Sequence, residues 1–517
     1  MAGLVIGLPV CAVLIAGLFY GGGEIWEHVR DNLLLGYLGG TLGTLIITAL
    51  LILLFAVPTA WLVTMHRFPG RAIFEWLLIL PLAAPGYVIA YAYSDLLGVG
   101  GPVQSALRDA TGLTARDYWF PEVRSLPGLA LILALTLFPY VYLTARAAFI
   151  SQSICALEAA RSLGASPLRC FFRVALPAAR PAIAAGLALA LMEAAADYGA
   201  AEQLGVPTLT FGIVRSWTSF GDPAAATRLA LVLITVVLSF VLLERWNRGG
   251  AGSQQSSSRW RRVHAAPLAT LPGICVALLC TLLFIIAFAL PIGRLIWLSL
   301  ESSDTLAPIG SALKNSLILA SSGAALAFIL ALIIAMARRS NSLSAIFARF
   351  TASMAYAIPG AVLALGALII LGLLSLTLTG IAAIIALAWV YASRFTTSGA
   401  EPMITALDRA PASIEYAAES LGASPVRRAR EVNLPIALSG AWAGALILFV
   451  EALKELPATL MLRPFNWDTL AVRAHAYAID ERLASAALPS LLITLAGLLP
   501  VILLSRQLSR ARPGGGS

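Results

Sequence analysis

The chain carries the run TLGTLIITALLILLFAVPTAWLVTM at residues 41–65, in which no residue is charged. A transmembrane helix needs about 20 mostly apolar residues to cross the hydrocarbon core of a bilayer. Further runs share this length and character, so the sequence predicts an all-α integral membrane protein with about 12 transmembrane helices. The runs lie at 3–20, 41–65, 75–97, 127–149, 181–200, 227–244, 271–298, 314–337, 349–373, 379–398, 436–455 and 485–505.

The overall composition excludes a soluble globular protein. Of the 517 residues, 59% are hydrophobic and only 12% are charged, whereas a soluble domain carries about 25% charged residues. The net charge is +9, and the arginines fall mostly between the apolar runs. This placement is typical of membrane loops that follow the positive-inside rule rather than of a nucleic-acid-binding surface. We therefore expect the lipid bilayer, and no nucleic acid, as a partner.

The cysteines and histidines form no catalytic or metal-binding pattern. The five cysteines include no CxxC pair and the four histidines include no HExxH motif, so neither a disulfide framework nor a zinc site is predicted. A membrane-embedded protease, one alternative for such a chain, would need a catalytic pair at membrane depth. No catalytic residue, metal ligand or cofactor is assigned to the chain.

The loop charges predict the orientation of the chain in its membrane. With the N-terminus inside, and with residues in the runs assigned to the nearer side, the inside segments hold 23 of the 35 basic residues. Basic residues concentrate in cytoplasmic loops, so both termini are predicted to be cytoplasmic. The first run has no basic residue before it and is expected to be a retained helix rather than a signal peptide.

An internal repeat organises the chain. Residues 158–167 read EAARSLGASP and residues 416–425 read YAAESLGASP, so eight of ten positions are identical at an offset of 258. The same offset relates Leu-Pro at 176–177 to Leu-Pro at 434–435. Self-similarity of this kind indicates duplication, and two halves with an even number of spans would share one orientation.

The duplication predicts two halves of six helices each. An earlier motif also recurs, as Ala84-Pro85-Gly86 and Ile358-Pro359-Gly360, at an offset of 274. The stretch between the halves is rich in glycine, serine and arginine, a composition typical of flexible linkers. The predicted divisions are a first half 1–246, a cytoplasmic linker 247–263, a second half 264–510 and a tail 511–517 that is expected to be a cloning remnant.

Each copy of the repeated segment lies in a long inside loop, at 150–180 and 399–435. A single copy would also fit an ordinary basic loop whose arginines extend toward water at the membrane interface. Two near-identical copies favour a shared interaction surface instead. Gly164 and Gly422 have no side chain, so the chain can turn there and a partner can approach closely.

The paired segments resemble the EAA loop of bacterial ATP-binding-cassette (ABC) importer permeases, in which a Glu-Ala-Ala triplet precedes a glycine and a later Leu-Pro. In the second copy Tyr416 replaces the glutamate of the family, while Glu415 and Glu419 lie nearby. The resemblance implies that each loop docks on an ATP-hydrolysing subunit. The residues that it assigns to coupling are Glu158, Ala159, Ala160, Gly164, Ala165, Ala417, Ala418, Glu419, Gly422 and Ala423.

The sequence contains no GxxxxGK[ST] phosphate loop, the motif whose backbone cradles the phosphates of ATP. Hydrolysis is therefore expected in a separate polypeptide, and the chain is predicted to be a transport subunit rather than an enzyme. Within the resemblance, the expected partners are two nucleotide-binding ATPase subunits, which bind the ATP, and a periplasmic substrate-binding protein.

Several stretches resemble ferric-iron permeases with two fused halves, namely 454–465 with 468–471, and 197–200 with 204–208. This resemblance implies that ferric iron moves from a periplasmic binding protein into the cytoplasm by alternating access. Related permeases carry thiamine, polyamines or phosphonates, so these substrates stay open. An ion-coupled secondary transporter is a further alternative, but its mark would be charged residues in broken helices, and the mid-span sequence is mostly Leu, Ala and Ile.

Four acidic residues near the outer ends of two runs are predicted to form a translocation entrance. Glu193 and Asp197 are four residues apart, which places them on one helical face. Glu451 and Glu455 repeat this spacing at an offset of 258, and ionisable groups bordering a span tend to be functional. The alternative is that these acids are hydrated at the interface and pair with neighbouring basic residues.

Overall fold

The computed structural model of the chain describes residues 1–19, 23–151, 160–248, 265–302, 307–339, 342–377, 379–411 and 413–510. Within these ranges nine helices are long and apolar enough to cross a membrane. Three further pairs of helices pass the same test together but bend at a short break, which gives up to 12 spans. Each span overlaps one predicted run, and the prediction of an all-α integral membrane protein is confirmed.

The helices extend well beyond most of the predicted runs, and regular structure accounts for nearly all of the described residues. The α-helices span Ala2–Phe19, Glu24–His28, Leu34–Met65, Arg71–Leu77, Gly86–Leu97, Pro102–Thr111, Leu126–Ser151, Pro167–Cys170, Leu176–Ala196, Gly199–Gln203, Leu209–Thr218, Pro223–Arg248, Thr270–Phe284, Leu290–Glu301, Ala307–Met336, Leu343–Ala357, Gly360–Leu373, Gly380–Arg409, Ser413–Ser420, Pro425–Arg428, Leu434–Leu438, Ala441–Lys454, Pro457–Leu462, Leu470–Ile479 and Leu483–Arg510. Wider π-helical turns lie at Val29–Leu33, Phe171–Ala175, Ile285–Ala289 and Ala429–Asn433, and 3-10 turns at Leu80–Ala83 and Ala337–Arg339.

Short hydroxyl side chains begin several of these helices. Each accepts a hydrogen bond from the backbone N–H three residues later, which satisfies a donor that the helix itself leaves unbonded. The same device recurs in both halves of the sequence. The residues are Ser166, Thr208, Ser342, Ser424 and Thr469.

Three predicted runs are broken rather than continuous, and the two sharpest bends lie in 75–97 and 349–373. The bend is 91° between Arg71–Ala83 and the helices that begin at Gly86, and 114° between Leu343–Ala357 and Gly360–Leu373. Both breaks fall at the recurring Pro-Gly motif. A residue before proline avoids the helical region, and the residues before Pro85 and Pro359 have ψ of 126° and 133°. The chain therefore leaves one helix and begins the next within a few residues.

The chain forms two compact units. The first comprises Met1–Leu38, Pro207–Ile234 and Leu298–Ser517. Within it the first helix, Ala2–Phe19, packs on helices of the second sequence half. The indole N–H of Trp389 donates to the carbonyl of Val5 at 2.8 Å, and Gly366 lies directly on the backbone of Pro9.

The second unit comprises Gly39–Val206 and Thr235–Trp297. Here the first helices of the second sequence half pack on the first half. Arg294 forms an ion pair with Asp95 at 2.5 Å, and the hydroxyl of Tyr93 donates to the carbonyl of Ile286. A two-residue parallel strand pair joins His66–Arg67 to Ala266–Pro267. Each unit thus contains helices from both sequence halves.

The predicted halves, 1–246 and 264–510, follow the duplication of the sequence. The two compact units group the helices differently, because each unit contains helices from both halves. Residues 249–263 of the predicted linker lie outside the described residues, as does the tail 511–517. The cytoplasmic linker therefore stays a prediction.

Candidate functional site

The first repeated loop turns at Gly164, whose φ is +81°. The N–H of Ala165 donates to the carbonyl of Ala160 at 3.0 Å, and the N–H of Gly164 donates to the carbonyl of Arg161 at 2.9 Å. This pair of bonds is the Schellman motif, which ends a helix on a left-handed residue that is usually glycine. Two of the predicted coupling residues, Glu158 and Ala159, lie outside the described residues.

The second repeated loop has the same geometry. Gly422 has a φ of +79°. The N–H of Ala423 donates to the carbonyl of Ala418 at 3.0 Å, and the N–H of Gly422 donates to the carbonyl of Glu419 at 2.9 Å. These bonds close the helix Ser413–Ser420, which carries Ala417. The turn expected at each glycine is therefore present, and the two loops share one backbone structure at an offset of 258.

The likeness continues after the turn. In each loop a serine caps a four-residue helix, Pro167–Cys170 or Pro425–Arg428. A π-helical turn follows, closed by the N–H of Leu176 on the carbonyl of Phe171 and by the N–H of Leu434 on the carbonyl of Ala429. The next residue in both loops is a proline, which has no N–H to continue the normal helical bonding. A wider turn at this point is a physical consequence of the Leu-Pro pair.

Both loops expose a leucine immediately before the turn. Leu163 is 88% exposed and Leu421 is 87% exposed, and no atom lies within 4 Å of where a side chain on Gly164 or Gly422 would begin. An apolar side chain held in the open on an ordered turn is typical of a surface that binds a partner. The sequence reasoning missed these leucines, although they belong to the identical SLGASP stretch.

Aromatic packing attaches the first loop to its unit. Phe171 lies 5.1 Å from Trp61 between ring centroids, and Trp61 lies 5.2 Å from Phe149 in an edge-to-face arrangement. Such pairs contribute about 0.5–1.5 kcal/mol beyond the area that they bury. The loop is therefore packed against two long helices rather than suspended in solvent.

A second candidate site lies where the broken helices meet an acidic residue. In the first unit the Glu455 carboxylate forms a buried ion pair with Arg394. Its other oxygen accepts a hydrogen bond from the N–H of Ala458 at 3.1 Å, at the start of the helix Pro457–Leu462. Gly360 packs directly on this ion pair, where a methyl group would overlap both side chains.

The equivalent acid of the first half has a similar position in the second unit. Asp197 accepts a hydrogen bond from the N–H of Ala200 at 2.8 Å, at the start of the helix Gly199–Gln203. Gly86 lies directly against its carboxylate. In both halves, therefore, the glycine of the Pro-Gly break contacts an acid that caps the next short helix.

The predicted helical spacing of the four acids differs in the structure. The helices end at Ala196 and Lys454, and the acids that follow, Asp197 and Glu455, have extended backbones with ψ of 112° and 123°. Because the helix stops first, these residues do not share a helical face with the glutamates four residues earlier. Glu451 lies 4.0 Å from Lys454, and Glu193 is partly exposed. The entrance formed by all four acids stays a prediction.

Within the part of the chain that the structure describes, no group of three or more aspartates, glutamates, cysteines or histidines could hold a metal ion.

The chain is similar to known transport permeases. Residues 33–245 match the family of binding-protein-dependent transport system inner membrane components. The chain is 27% identical over 457 residues to the Fe(3+)-transport system permease protein FbpB 2 of Haemophilus influenzae, covering 86% of this chain and 85% of the relative. It is 28% identical over 201 residues to the molybdenum transport system permease protein ModB of Escherichia coli, covering 37% of this chain and 83% of that relative.

A sulfate transport system permease protein, CysT of Escherichia coli, is 27% identical over 197 residues, which cover 38% of this chain and 68% of the relative. All three relatives are transport permeases rather than enzymes. The matched family is an inner membrane component, in agreement with the many apolar helices. The chain is therefore a multi-pass inner-membrane protein that is similar to binding-protein-dependent transport permeases.

Proposed function

We propose that the chain is the permease subunit of an ABC importer that moves ferric iron from a periplasmic binding protein into the cytoplasm by alternating access. The observation that carries this proposal is the pair of loops at 160–180 and 418–438, which share one ordered geometry and expose one leucine each. Two such loops fit two ATPase subunits, which bind and hydrolyse the ATP. Both chain termini would then be cytoplasmic.

A continuous helix connects the first loop to the broken span of its unit. The helix Leu176–Ala196 begins at the Leu-Pro of the first loop and ends at Asp197, which contacts Gly86. At 1.5 Å per residue this helix is about 30 Å long, which is the thickness of the hydrocarbon core. A displacement of the loop would therefore reach the Pro-Gly break through one rigid element.

The charge near the breaks supports a cation as the substrate. Residues 193–206 contain Glu193, Asp197 and Glu202. In the first unit Glu455 is paired with Arg394. Ferric iron is a hard cation, and hard cations prefer carboxylate and other oxygen ligands.

Bent spans alone do not identify a secondary transporter. The structure has three bent spans and a buried Arg394–Glu455 pair, and both of these residues lie near the ends of predicted runs rather than at mid-span. The match of residues 33–245 to binding-protein-dependent transport components favours ATP as the energy source.

Reconstituted vesicles provide the test. The permease would be co-reconstituted with its ATPase, and uptake of radioactive ferric iron delivered by the binding protein would be followed with and without internal ATP. Uptake should require ATP and should persist when ionophores collapse the ion gradients. Competition by thiamine, a polyamine, a phosphonate, sulfate and molybdate would identify another substrate. Uptake that follows the ion gradient without ATP would contradict the proposal.

A further inference from the structure

The two repeated loops share a backbone but carry different charges. At the offset of 258, Arg161 of the first loop corresponds to Glu419 of the second, and Arg173 corresponds to Glu431. At both positions the first loop has an exposed arginine where the second loop has an exposed glutamate. Over equal lengths, residues 160–180 contain four arginines and no acid, whereas residues 418–438 contain three arginines and two glutamates.

In the second loop the acids pair with its own arginines. Glu419 lies 2.6 Å from Arg428, and Glu431 lies 2.9 Å from Arg427 one helical turn earlier. The loop therefore neutralises most of its own charge.

The first loop cannot form either of these pairs. Arg161 and Cys170 occupy the two positions of the first pair, and Arg169 and Arg173 occupy those of the second. At the positions of the Glu419–Arg428 pair, the first loop has neither the acid nor its basic partner. At the positions of the Arg427–Glu431 pair, it has two arginines, which repel each other. Within residues 160–180 the arginines therefore have no acid with which to pair.

We propose that both loops dock on the ATPase through an exposed apolar pair, Leu163 with Leu168 and Leu421 with Val426, and that only the first loop adds electrostatic attraction to an acidic surface. This inference rests on the proposed function. The basic groups of the first loop surround its turn, since Arg161 precedes the exposed Leu163 by two residues and Arg169 follows it by six. Charge complementarity across an interface accelerates association and weakens with salt. The first loop would therefore guide the encounter, and the second would depend little on ionic strength.

Anionic lipid headgroups are another surface that attracts arginines near a membrane. The ATPase is favoured because the arginines accompany the same ordered turn and exposed leucine that the second loop presents without the charge excess. A loop that served only lipid would have no need of that turn.

Two charge exchanges test the inference. R161E/R173E gives the first loop the acids of the second, and E419R/E431R gives the second loop the arginines of the first. The probe is the purified ATPase subunit that supports ATP-driven uptake with the parent chain, and its affinity for each permease in detergent is measured from low to high NaCl. R116E/R124E, which makes the same change of charge outside both loops, is the control.

We expect R161E/R173E to weaken binding at low salt by about tenfold or more and to flatten the salt dependence. E419R/E431R should leave binding equal or tighter and should steepen the salt dependence. R161Q/R173Q should fall between the parent and the reversal, and size-exclusion profiles check that each variant is folded.

Equal losses from both exchanges, or no loss from R161E/R173E, would overturn the inference while leaving the importer proposal intact. If R161E/R173E instead reduced association with phosphatidylcholine vesicles containing phosphatidylglycerol, and left ATPase binding unchanged, the first loop would be a lipid-binding surface. An ATPase that does not bind the parent chain at all would contradict the proposed function itself.

Discussion

Arg394 and Glu455 form an ion pair whose side chains are only 8% and 5% exposed, at the point where a broken helix begins at Gly360. The two residues come from different helical segments, and the carboxylate also accepts from the N–H of Ala458. A buried charge is tolerated only when it is paired and hydrogen-bonded. This pair therefore joins three segments of the chain: the helix Gly380–Arg409, the break at Gly360 and the short helix Pro457–Leu462.

The first prediction concerns this ion pair. E455Q removes one charge and leaves the Arg394 guanidinium buried without its counter-charge, so the folded state should lose about 3–5 kcal/mol. Adding R394M to E455Q removes the remaining charge, while the glutamine oxygen still accepts from the N–H of Ala458. The double variant should therefore recover most of the loss. Thermal unfolding of the purified protein in detergent measures both effects.

The exposed pair Arg427–Glu431 provides the matched control. Its side chains are 64% and 57% exposed, so E431Q should change stability by less than about 0.5 kcal/mol. If E455Q were as mild as E431Q, the buried pair would not be holding the segments together.

The second prediction concerns the glycines of the two loops. G164W and G422W should insert into the membrane normally but fail to support transport, because a bulky side chain at the exposed turn would hold the ATPase away. The left-handed backbone also disfavours a side chain by about 1–2 kcal/mol at each site. Gly112 is the control, since its φ is +71° and no atom lies within 4 Å of a new side chain, so G112W carries the same strain outside the loops.

Uptake of radioactive iron by vesicles distinguishes the two possible causes of lost transport in these glycine variants. One cause is obstruction of the ATPase, and the other is strain of the left-handed backbone. Loss of transport in G164W/G422W together with normal transport in G112W would show that the position matters and not the strain. Full transport by the double variant would remove the coupling role from these turns.

The third prediction concerns topology. In a variant without its five cysteines, a single cysteine placed within 250–258 should react with a membrane-impermeant maleimide only from the cytoplasmic side. A cysteine at Thr114, in the loop predicted to lie outside, should react only from the opposite side. The positive-inside rule provides the reason. Labelling of the linker from outside would reverse the predicted orientation of the whole chain.

Much of the architecture was accessible from the sequence because the bilayer imposes a simple requirement on length and polarity. All 12 spans overlap runs that were predicted from apolar length alone. The breaks at Pro85 and Pro359 were not predicted, although the motif was noticed, because apolar composition does not change across them. The conformational restriction that proline imposes on the preceding residue was the available signal.

Sequence patterns did not predict the contacts between residues that are far apart in the chain. Arg394 and Glu455 are 61 residues apart, and the repeat offers no guide to their contact because the position equivalent to Arg394 is Thr136. The packing of the first helix on the second half is another case, since a uniformly apolar helix does not identify its neighbours. The turns of the two loops were predictable, in contrast, because a glycine that ends a helix is a local signal.

The last prediction concerns the acids near the breaks. Changing all four, Glu193, Asp197, Glu451 and Glu455, to amides should lower ferric-iron uptake strongly, but this variant would also leave Arg394 buried without a counter-charge. The sharper variant is E193Q/D197N/E451Q, which keeps the Arg394–Glu455 pair and, through the asparagine oxygen, the bond from the N–H of Ala200. Clustered negative charge raises the local concentration of cations, and its removal should reduce uptake by about tenfold or more at low ionic strength.

The matched control for these acids is D109N/E122Q, which removes acids from the predicted outer loop without approaching either break. Uptake of ferric iron and binding of the ATPase are measured on the same preparations, so that a failure of assembly is not mistaken for a failure of transport. The triple variant should bind the ATPase like the parent and lose uptake, whereas D109N/E122Q should retain both. Equal uptake by the triple variant and the parent would mean that these acids serve only the structure, and that ferric iron crosses the membrane along other residues.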